Sequence, residues 1–520
     1  MDPVTLQVMA SALRAVADEM EAALVRSAFS PNITERRDCS TAICDRYGQM
    51  VTQSASIPVH LGAMPDAVSA VIRAGAVAGE LWVLNDPYLG GTHLPDITLV
   101  SPIDVDGELI GYAVSRAHHA DVGGIAPGSM PAGSRSLFQE GLIIPPVRLA
   151  VDGVPRDEIV AMICANSRTP AERAGDLRAQ MACHRLAQER MVELAARWGR
   201  LLVEDACAEL LTYAERRIRA ELAKIPDGTY RYDDVIEGDG VVDADLTIRV
   251  AVTVRGDSVI VDFTGTDEQG PGNCNCPLAV TRSAVYFVIR CLTDPDIPAS
   301  SGAFTPVEIV APDGCLVNAR FPAAVAGGNV ETSSRIVDVL TAAFGQVISV
   351  PAMGQGTMNN LTIGSADFTY YETLGGGQGG GPAGDGPDAV HVAMSNTLNT
   401  PVESLETLFP LRIERYAIRR DTGGVGQHRG GDGVERVIRV LVDAEASIIS
   451  ERRGRAPSGA DGGGSGAVGV NRLNGRDLPA KWRGLVSAGD VVEIHTPGGG
   501  GWGVRRPADL NDPPGADRPR

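Results

Sequence analysis

Apolar residues recur every three or four positions near the start of the chain, at Leu6, Met9, Leu13, Val16, Met20 and Leu24. That spacing predicts an amphipathic helix over residues 4–29, ended by Ser30-Pro31-Asn32. The period then drops to two. Residues 40–44 and 49–53 read as strands about Asp45-Arg46-Tyr47-Gly48, and residues 65–76 as a second helix with proline in its first turn. Two β-prone runs, 97–103 and 109–117, flank Asp104-Val105-Asp106-Gly107-Glu108, whose Asp-Gly pair supplies the positive φ of a hairpin turn. The helical period returns over 156–224 and fits two or three helices. From the Ile225-Pro226-Asp227-Gly228 turn onward the pattern is mainly β. Hairpin strands are predicted at 246–254 and 258–263, and helices at 277–292 and 334–347, the second capped by Ser333 or Ser334. Residues 407–503 read as all-β, with strands at 436–441, 447–450 and 491–496. The expected fold is α+β and multi-domain, with mixed sheets, a helical segment in the middle and a β-rich C-terminal part. Its regions are 1–224, 225–406 and 407–505, followed by a disordered tail at 506–520 rich in Pro and Asp.

The 97–117 hairpin gathers chemistry. Antiparallel pairing about a turn centred near Asp106 sets Asp96 opposite about Arg116 and Leu94 opposite about His118, so His93, Asp96 and His118 converge. Two imidazoles and a carboxylate at loop-to-strand junctions suit a borderline divalent ion with an open position for water. Alternation along the strand puts Tyr112, Val114, Arg116 and His118 on one face and His119 on the other, so one histidine of that pair is the candidate ligand. The other reading of these residues is an ordinary polar loop, because a single His-x-x-Asp is a weak pattern.

Other candidates carry two readings each. His60, in Pro58-Val59-His60, is either a site residue or a structural hydrogen-bonding histidine. Residues 123–146, rich in Gly, Ser and Pro, read as a loop able to cover the metal. Glu140 within it, and Asp121 just before it, are candidate general bases or solvated acids. The polar residues of 176–180 either point to the site or form surface ion pairs on a helix.

Composition narrows the function. Forty-six Lys and Arg against 65 Asp and Glu give a net charge of −19, which opposes non-specific nucleic-acid binding. The start has no basic segment followed by an apolar core, and no run reaches the length of a membrane span, so a cytoplasmic, non-membrane protein is expected. Nine scattered cysteines suggest reduced thiols. The glycine-rich run at 375–386 is not followed by Gly-Lys-Ser/Thr, so the lysine and hydroxyl of a phosphate loop are missing. The glycines at 498–501 either pack tightly or approach a ligand.

Several blocks together resemble the hydantoinase B and oxoprolinase family, which also includes the metal-bearing subunits of acetone and acetophenone carboxylases. They are NITERRDCSTAICD from Asn32, PVHLGAMP from Pro58, NDPYLGGTHLPD from Asn85, RAHHADVGG from Arg116, IPDGTY from Ile225, GGNVETSSRI from Gly327, GTMNN from Gly356, SNTLNTPVE from Ser395 and TPGGGGWG from Thr496. The resemblance implies that His93, Asp96 and His118 hold a divalent metal, zinc, manganese or iron, with Asp38 as a fourth ligand, and it supports a site role for His60. It implies the hydantoinase B-type, metal-bearing component of an ATP-dependent cyclic-amide hydrolase that opens hydantoin, 5-oxoproline or lactam rings. ATP is expected on a hydantoinase A-like partner, which phosphorylates the amide, in a hetero-oligomer. The alternative within the family is the metal subunit of an ATP-dependent ketone carboxylase. A third reading, a scaffold without catalysis, is opposed by the intact His93, Asp96 and His118.

Overall fold

The structure is a computed structural model that describes residues 1–54 and 57–505. The tail expected to be disordered, 506–520, lies outside the described residues.

The first α-helix, α1 (Pro3–Ser27), is followed by the short α2 (Pro31–Thr34) and by α3 (Met64–Arg73). The first sheet has seven strands: β1 (Cys39–Asp45), β2 (Met50–Gln53), β3 (Glu80–Leu84), β4 (Asp96–Val105), β5 (Glu108–His118), β6 (Val147–Val151) and β7 (Val154–Pro155). Their order is β2-β1-β5-β4-β3-β6-β7 and every pairing is antiparallel. Three further helices follow, α4 (Asp157–Ala165), α5 (Pro170–Trp198) and α6 (Arg200–Leu222). Alternation along the strands covers both faces. Ile43, Ala113 and Ala117 pack with Met9, Leu13 and Met20 of α1 and Cys183 and Ala187 of α5. Ala42, Cys44, Tyr112 and Val114 share a core with Met64, Val68 and Val71 of α3.

The β4–β5 hairpin differs from its predicted register by two residues, for two reasons. The loop is the two-residue Asp106-Gly107 turn, with φ of 56° and 81°, so Val105 faces Glu108. A bulge between Ile103 and Asp104 then adds one more residue, and Asp96 lies directly opposite His118. Strand β3 lies where the sequence pattern announces no strand.

The second sheet contains β8 (Gly228–Ile236), β9 (Leu246–Arg255), β10 (Ser258–Asp262) and β11 (Val307–Val310), in the order β11-β10-β9-β8. Helices α7 (Leu278–Cys291) and α8 (Ser333–Phe344) pack on it. The expected serine cap on α8 is absent. A π turn at Gly328–Thr332 extends the helix backward, and Ser333 Oγ and Ser334 Oγ donate instead to Asn329 O and Val330 O, at 2.6 and 2.8 Å.

The remaining elements are β12 (Asn360–Gly364), β13 (Thr369–Glu372), α9 (Val402–Leu408), β14 (Leu411–Arg419), β15 (Gly433–Val440), β16 (Ala444–Ile449), β17 (Val470–Leu473), β18 (Arg476–Leu478), β19 (Lys481–Val486) and β20 (Val491–His495). They form a third sheet, β13-β12-β16-β19, and a fourth, β14-β15-β20-β17-β18, over a shared apolar core. The closing glycines pack tightly: Gly499 N–H donates to Gly431 O and Gly500 N–H to Met353 O. A Cβ on Gly499 would stand 2.2 Å from Gln378 O.

The 123–146 loop is fastened on several sides rather than lying over the site as a cover. Ser447 Oγ donates to Met130 O and accepts from Ala132 N–H, Asn273 Nδ2 donates to Pro131 O, and Leu137 N–H donates to Pro322 O.

Candidate metal centre

Three elements bring the donors together. Asp96 opens β4 and His118 closes β5, and the two are directly paired across the hairpin. His93 is carried by the loop before β4. Asn85 holds that loop, donating through Nδ2 to Leu94 O and Leu142 O and accepting from Ile144 N–H at 2.7 Å. Arg116, fully buried, donates to Thr98 Oγ1 and Gly90 O and fixes the loop against the hairpin.

His93 Nε2, His118 Nδ1 and Asp96 Oδ1 form a nearly equilateral triangle, with separations of 3.2 Å between the nitrogens and 3.2 and 3.4 Å from each to the oxygen. All three side chains are buried. Asp96 Oδ1 makes no hydrogen bond although two ring nitrogens stand beside it, so the three atoms converge without donor–acceptor alignment. First-row divalent ions bind such donors at about 2.0–2.2 Å, which places tetrahedral ligand atoms roughly 3.3–3.6 Å apart. The residues present therefore fit a divalent cation. Burial by itself would raise the Asp96 carboxyl, but His93, His118 and His60 outweigh it and hold the group well below the usual carboxylate range. Burial pushes the His118 ring down, toward the neutral form a ligand needs.

The neighbouring candidates fall into different places. His60 sits behind Asp96, with Nε2 3.4 Å from Asp96 Oδ2 and Nδ1 2.9 Å from Ser40 Oγ. Thr92 Oγ1 donates to the same Asp96 oxygen. Asp38 lines the cavity, but its carboxylate lies outside the triangle, 3.7 Å from Arg36 Nη2. His119 points the other way, to Gln180 Oε1 at 2.9 Å.

Asp121 and Glu140 are not brought to the cavity. Asp121 accepts four hydrogen bonds, from Gly123 N–H, Gly128 N–H, Arg168 N–H and Arg168 Nη1, and fixes a turn. Glu140 accepts from Ser134 Oγ, Ala326 N–H and Val325 N–H, and burial pushes its carboxyl up to about 7. It clamps the 134–140 loop to the segment leading into the π turn. Asp176 and Gln180 are buried rather than surface residues. Asp176 accepts from Phe29 and Ser30 N–H, and Gln180 braces His119 and Ile97 O.

The far side of the cavity comes from the middle of the chain. Asn329 and Val330 of the π turn, Met358, Tyr371, Thr373, Met394, Ser395 and Thr397 complete its lining. Tyr371 stacks on His118 with ring centroids 4.4 Å apart and an interplanar angle of 9°. Its hydroxyl donates to Asn360 Oδ1. Buried Arg36 joins the two sides, donating to Tyr371 O, Thr373 Oγ1 and Thr397 Oγ1, with its guanidinium 4.8 Å from the Tyr371 ring centre. Sequence reasoning assigned these residues no role, although GGNVETSSRI, GTMNN and SNTLNTPVE are the blocks that carry several of them. The free space among these side chains is only about 20 Å³.

The chain matches the model of a family described as Hydantoinase B/oxoprolinase over residues 2–505. A protein of Methanocaldococcus jannaschii is 39% identical, over 98% of this chain and 92% of its own length. 5-oxoprolinase 1 of Arabidopsis thaliana is 36% identical over 96% of this chain, which spans only 42% of that longer protein. A protein of a Pseudomonas strain, named as one putative subunit of a D-/L-hydantoinase, is 32% identical over 96% of this chain and 90% of its own length. Among solved structures, the ATP-dependent caprolactamase of Pseudomonas jessenii superposes with a TM-score of 0.90 at 26% identity, covering 98% of this chain and 93% of that one. Acetone carboxylase shares the fold, with a TM-score of 0.88 at 20% identity over 96% of this chain and 76% of that one.

Proposed function

The chain belongs to the hydantoinase B/oxoprolinase family, and on that premise we propose that it is the metal-bearing component of an ATP-dependent cyclic-amide hydrolase. The observation that carries the reading is the buried triangle of His93 Nε2, His118 Nδ1 and Asp96 Oδ1, whose edges suit one small divalent cation. A cation held there would supply Lewis-acid polarisation and water activation. Zinc, manganese and iron all suit this donor set. Asp38 faces the same cavity as a fourth candidate donor, and His60 orients the Asp96 carboxylate from behind.

The names of the relatives point to one substrate class. Oxoproline, hydantoin and caprolactam are all rings closed through an amide. Such an amide is resonance-stabilised and resists attack, and transfer of phosphate from ATP to its oxygen makes its carbon a better electrophile. The glycine-rich run at 375–386 is a poor site for the nucleotide, because its amides are already used. Gly376, Gly377, Gln378 and Gly380 N–H donate to Val390, Pro497, Pro387 and Gly500 carbonyls. ATP is therefore assigned to a separate, hydantoinase A-like subunit, and the active species to a hetero-oligomer. The relative named as one subunit of a hydantoinase, and the longer single-chain oxoprolinases, support that assignment.

The test is ATP turnover by this chain purified together with its nucleotide-binding partner, against hydantoins, oxoproline, larger lactams and ketones, with and without bicarbonate. Cyclic amides are expected to drive ATP turnover and ring opening without bicarbonate. Turnover that requires both a ketone and bicarbonate would replace this reading with ketone carboxylation.

A further inference from the structure

One residue of the cavity lining carries an unused polar atom. Asn329 is 3% exposed, lines the cavity, and its Oδ1 has no hydrogen-bond partner. The other polar side chains of the lining, apart from the three donors themselves, are engaged. His60 bonds Ser40, Tyr371 bonds Asn360, Thr373 and Thr397 bond Arg36 and each other, Ser395 bonds His391, and Asp38 pairs with Arg36. A buried carbonyl oxygen without a partner forfeits the hydrogen bond it made to water, so its retention calls for an explanation, and a ligand is one.

The backbone beneath it is specialised. Asn329 sits in the π turn Gly328–Thr332, a widening of the helix that recurs at functional sites. The turn fits only because residue 328 lacks a side chain: a Cβ there would stand 1.8 Å from Asn275 O.

We propose that Asn329 is the positioning residue that reads the ring amide of the substrate. This rests on the cyclic-amide reading above. Ring closure forces an amide into the cis form, so its N–H and C=O lie on the same side. A primary carboxamide is the complement of that edge, accepting the ring N–H through Oδ1 and donating to the carbonyl through Nδ2. A linear amide, being trans, presents only one of the two groups to it. When the amide oxygen takes the phosphoryl group from ATP and the ring proton passes to solvent, the ring nitrogen becomes an acceptor, which Nδ2 can serve. A carboxylate at this position could do only the first of these tasks. The present cavity of about 20 Å³ has room for about one water, so a ring enters only with a shift of the lining.

The test is calorimetric titration of the purified chain, loaded with its metal, with 2-pyrrolidinone, cyclopentanone and N-methylacetamide. The native chain is expected to bind the lactam about three- to tenfold tighter than the ketone or the linear amide, since each of those forfeits one of the two hydrogen bonds. Asn329→Ala should lose that preference with metal content unchanged. The near-isosteric Asn329→Asp, whose carboxylate still accepts the ring N–H but cannot donate to the carbonyl, should keep the preference for the lactam over the ketone while binding both more weakly, a split that a folding defect would not produce. A native chain that does not prefer the lactam, or an Asn329→Ala variant that keeps the preference, overturns the inference. The two readings fail separately. Ring opening by the assembly with lactam preference intact in Asn329→Ala would sink this inference alone, and Asn329-dependent binding without ring opening would sink the hydrolase reading alone.

Discussion

The cavity has two walls built on opposite principles. On one side Asp96 and His118 are paired across an antiparallel hairpin and His93 sits on the loop that enters it, which together place the three donor atoms within 3.4 Å of one another. On the other, Asn329 rides a π turn, Tyr371 lies in β13 at the edge of the third sheet, and Met394, Ser395 and Thr397 belong to a segment without helix or strand. The first wall is held mainly by backbone pairing and fixes donors to within a few tenths of an ångström, as coordination demands. The second joins a strand, a π turn and an irregular segment, each with its own backbone bonds, and Arg36 clasps two of them through Tyr371 O, Thr373 Oγ1 and Thr397 Oγ1. A wall of that kind can yield to admit a ring, where a hairpin cannot without losing its ladder.

The sharpest way to break this contrast is at the first wall. His93→Ala removes one corner of the triangle. Changes behind a metal ligand already cost about 10–100-fold in affinity, so loss of a donor is expected to exceed about 100-fold. Metal analysis of the purified variant should show substoichiometric metal, with the fold retained by circular dichroism. Full metal content in His93→Ala would mean that the triangle is not the metal site.

The same contrast explains what the sequence could reveal. Period-two apolar patterning with an Asp-Gly turn announces a hairpin, and a hairpin brings residues near its two ends together whatever the details. The convergence of His93, Asp96 and His118 therefore survives a register error of two residues at Asp96. The helices α1, α5 and α6 and the strands β1, β2, β9 and β10 were legible for the same reason, being local patterns. Nothing local distinguishes Asn329, because a π turn differs from an α-helix by one inserted residue and has no period of its own. Tyr371, far from His118 in the chain, meets it only through tertiary packing. Asp121 and Glu140 show what nearness in the chain leaves out: three backbone amides and Arg168 Nη1 donate to Asp121, and two backbone amides and Ser134 Oγ to Glu140.

Arg36 is where the two walls can be uncoupled. Arg36→Met would leave Thr373 Oγ1 and Tyr371 O without their donor and Asp38 without its cation. Breaking a buried charged contact of this kind costs about 3–5 kcal/mol, and the 3.7 Å separation from Asp38 favours the lower end, about 3 kcal/mol. The urea midpoint should fall accordingly while stoichiometric metal is retained, because the triangle is held from Asn85, Arg116 and the hairpin. Loss of metal together with stability would show that the second wall also positions the first.

The smallest effect, and the most specific to the yielding wall, is expected from His391. Its Nδ1 lies 2.8 Å from Ser395 Oγ and its Nε2 3.5 Å from Thr397 Oγ1, so the ring fastens the irregular segment. Burial pushes it down to about 4, and Arg36 adds to that, against the opposing pull of Glu372 and Asp38. Its folded value lies below the unfolded value of about 6.5, so the docked segment is fully stabilised above that pH and loses stability as pH falls from about 6.5 toward 4. At pH 5 the loss amounts to about 1–2 kcal/mol, reduced from the full linkage by the partial exposure of the ring. Hydrogen exchange over residues 392–400 should therefore quicken several-fold more between pH 7 and pH 5, after correction for the intrinsic rate, than exchange in β4 and β5. His391→Gln should abolish the extra pH dependence. Equal acid sensitivity in the hairpin would mean that the two walls open as one unit, and the contrast between a fixed and a yielding wall would be lost.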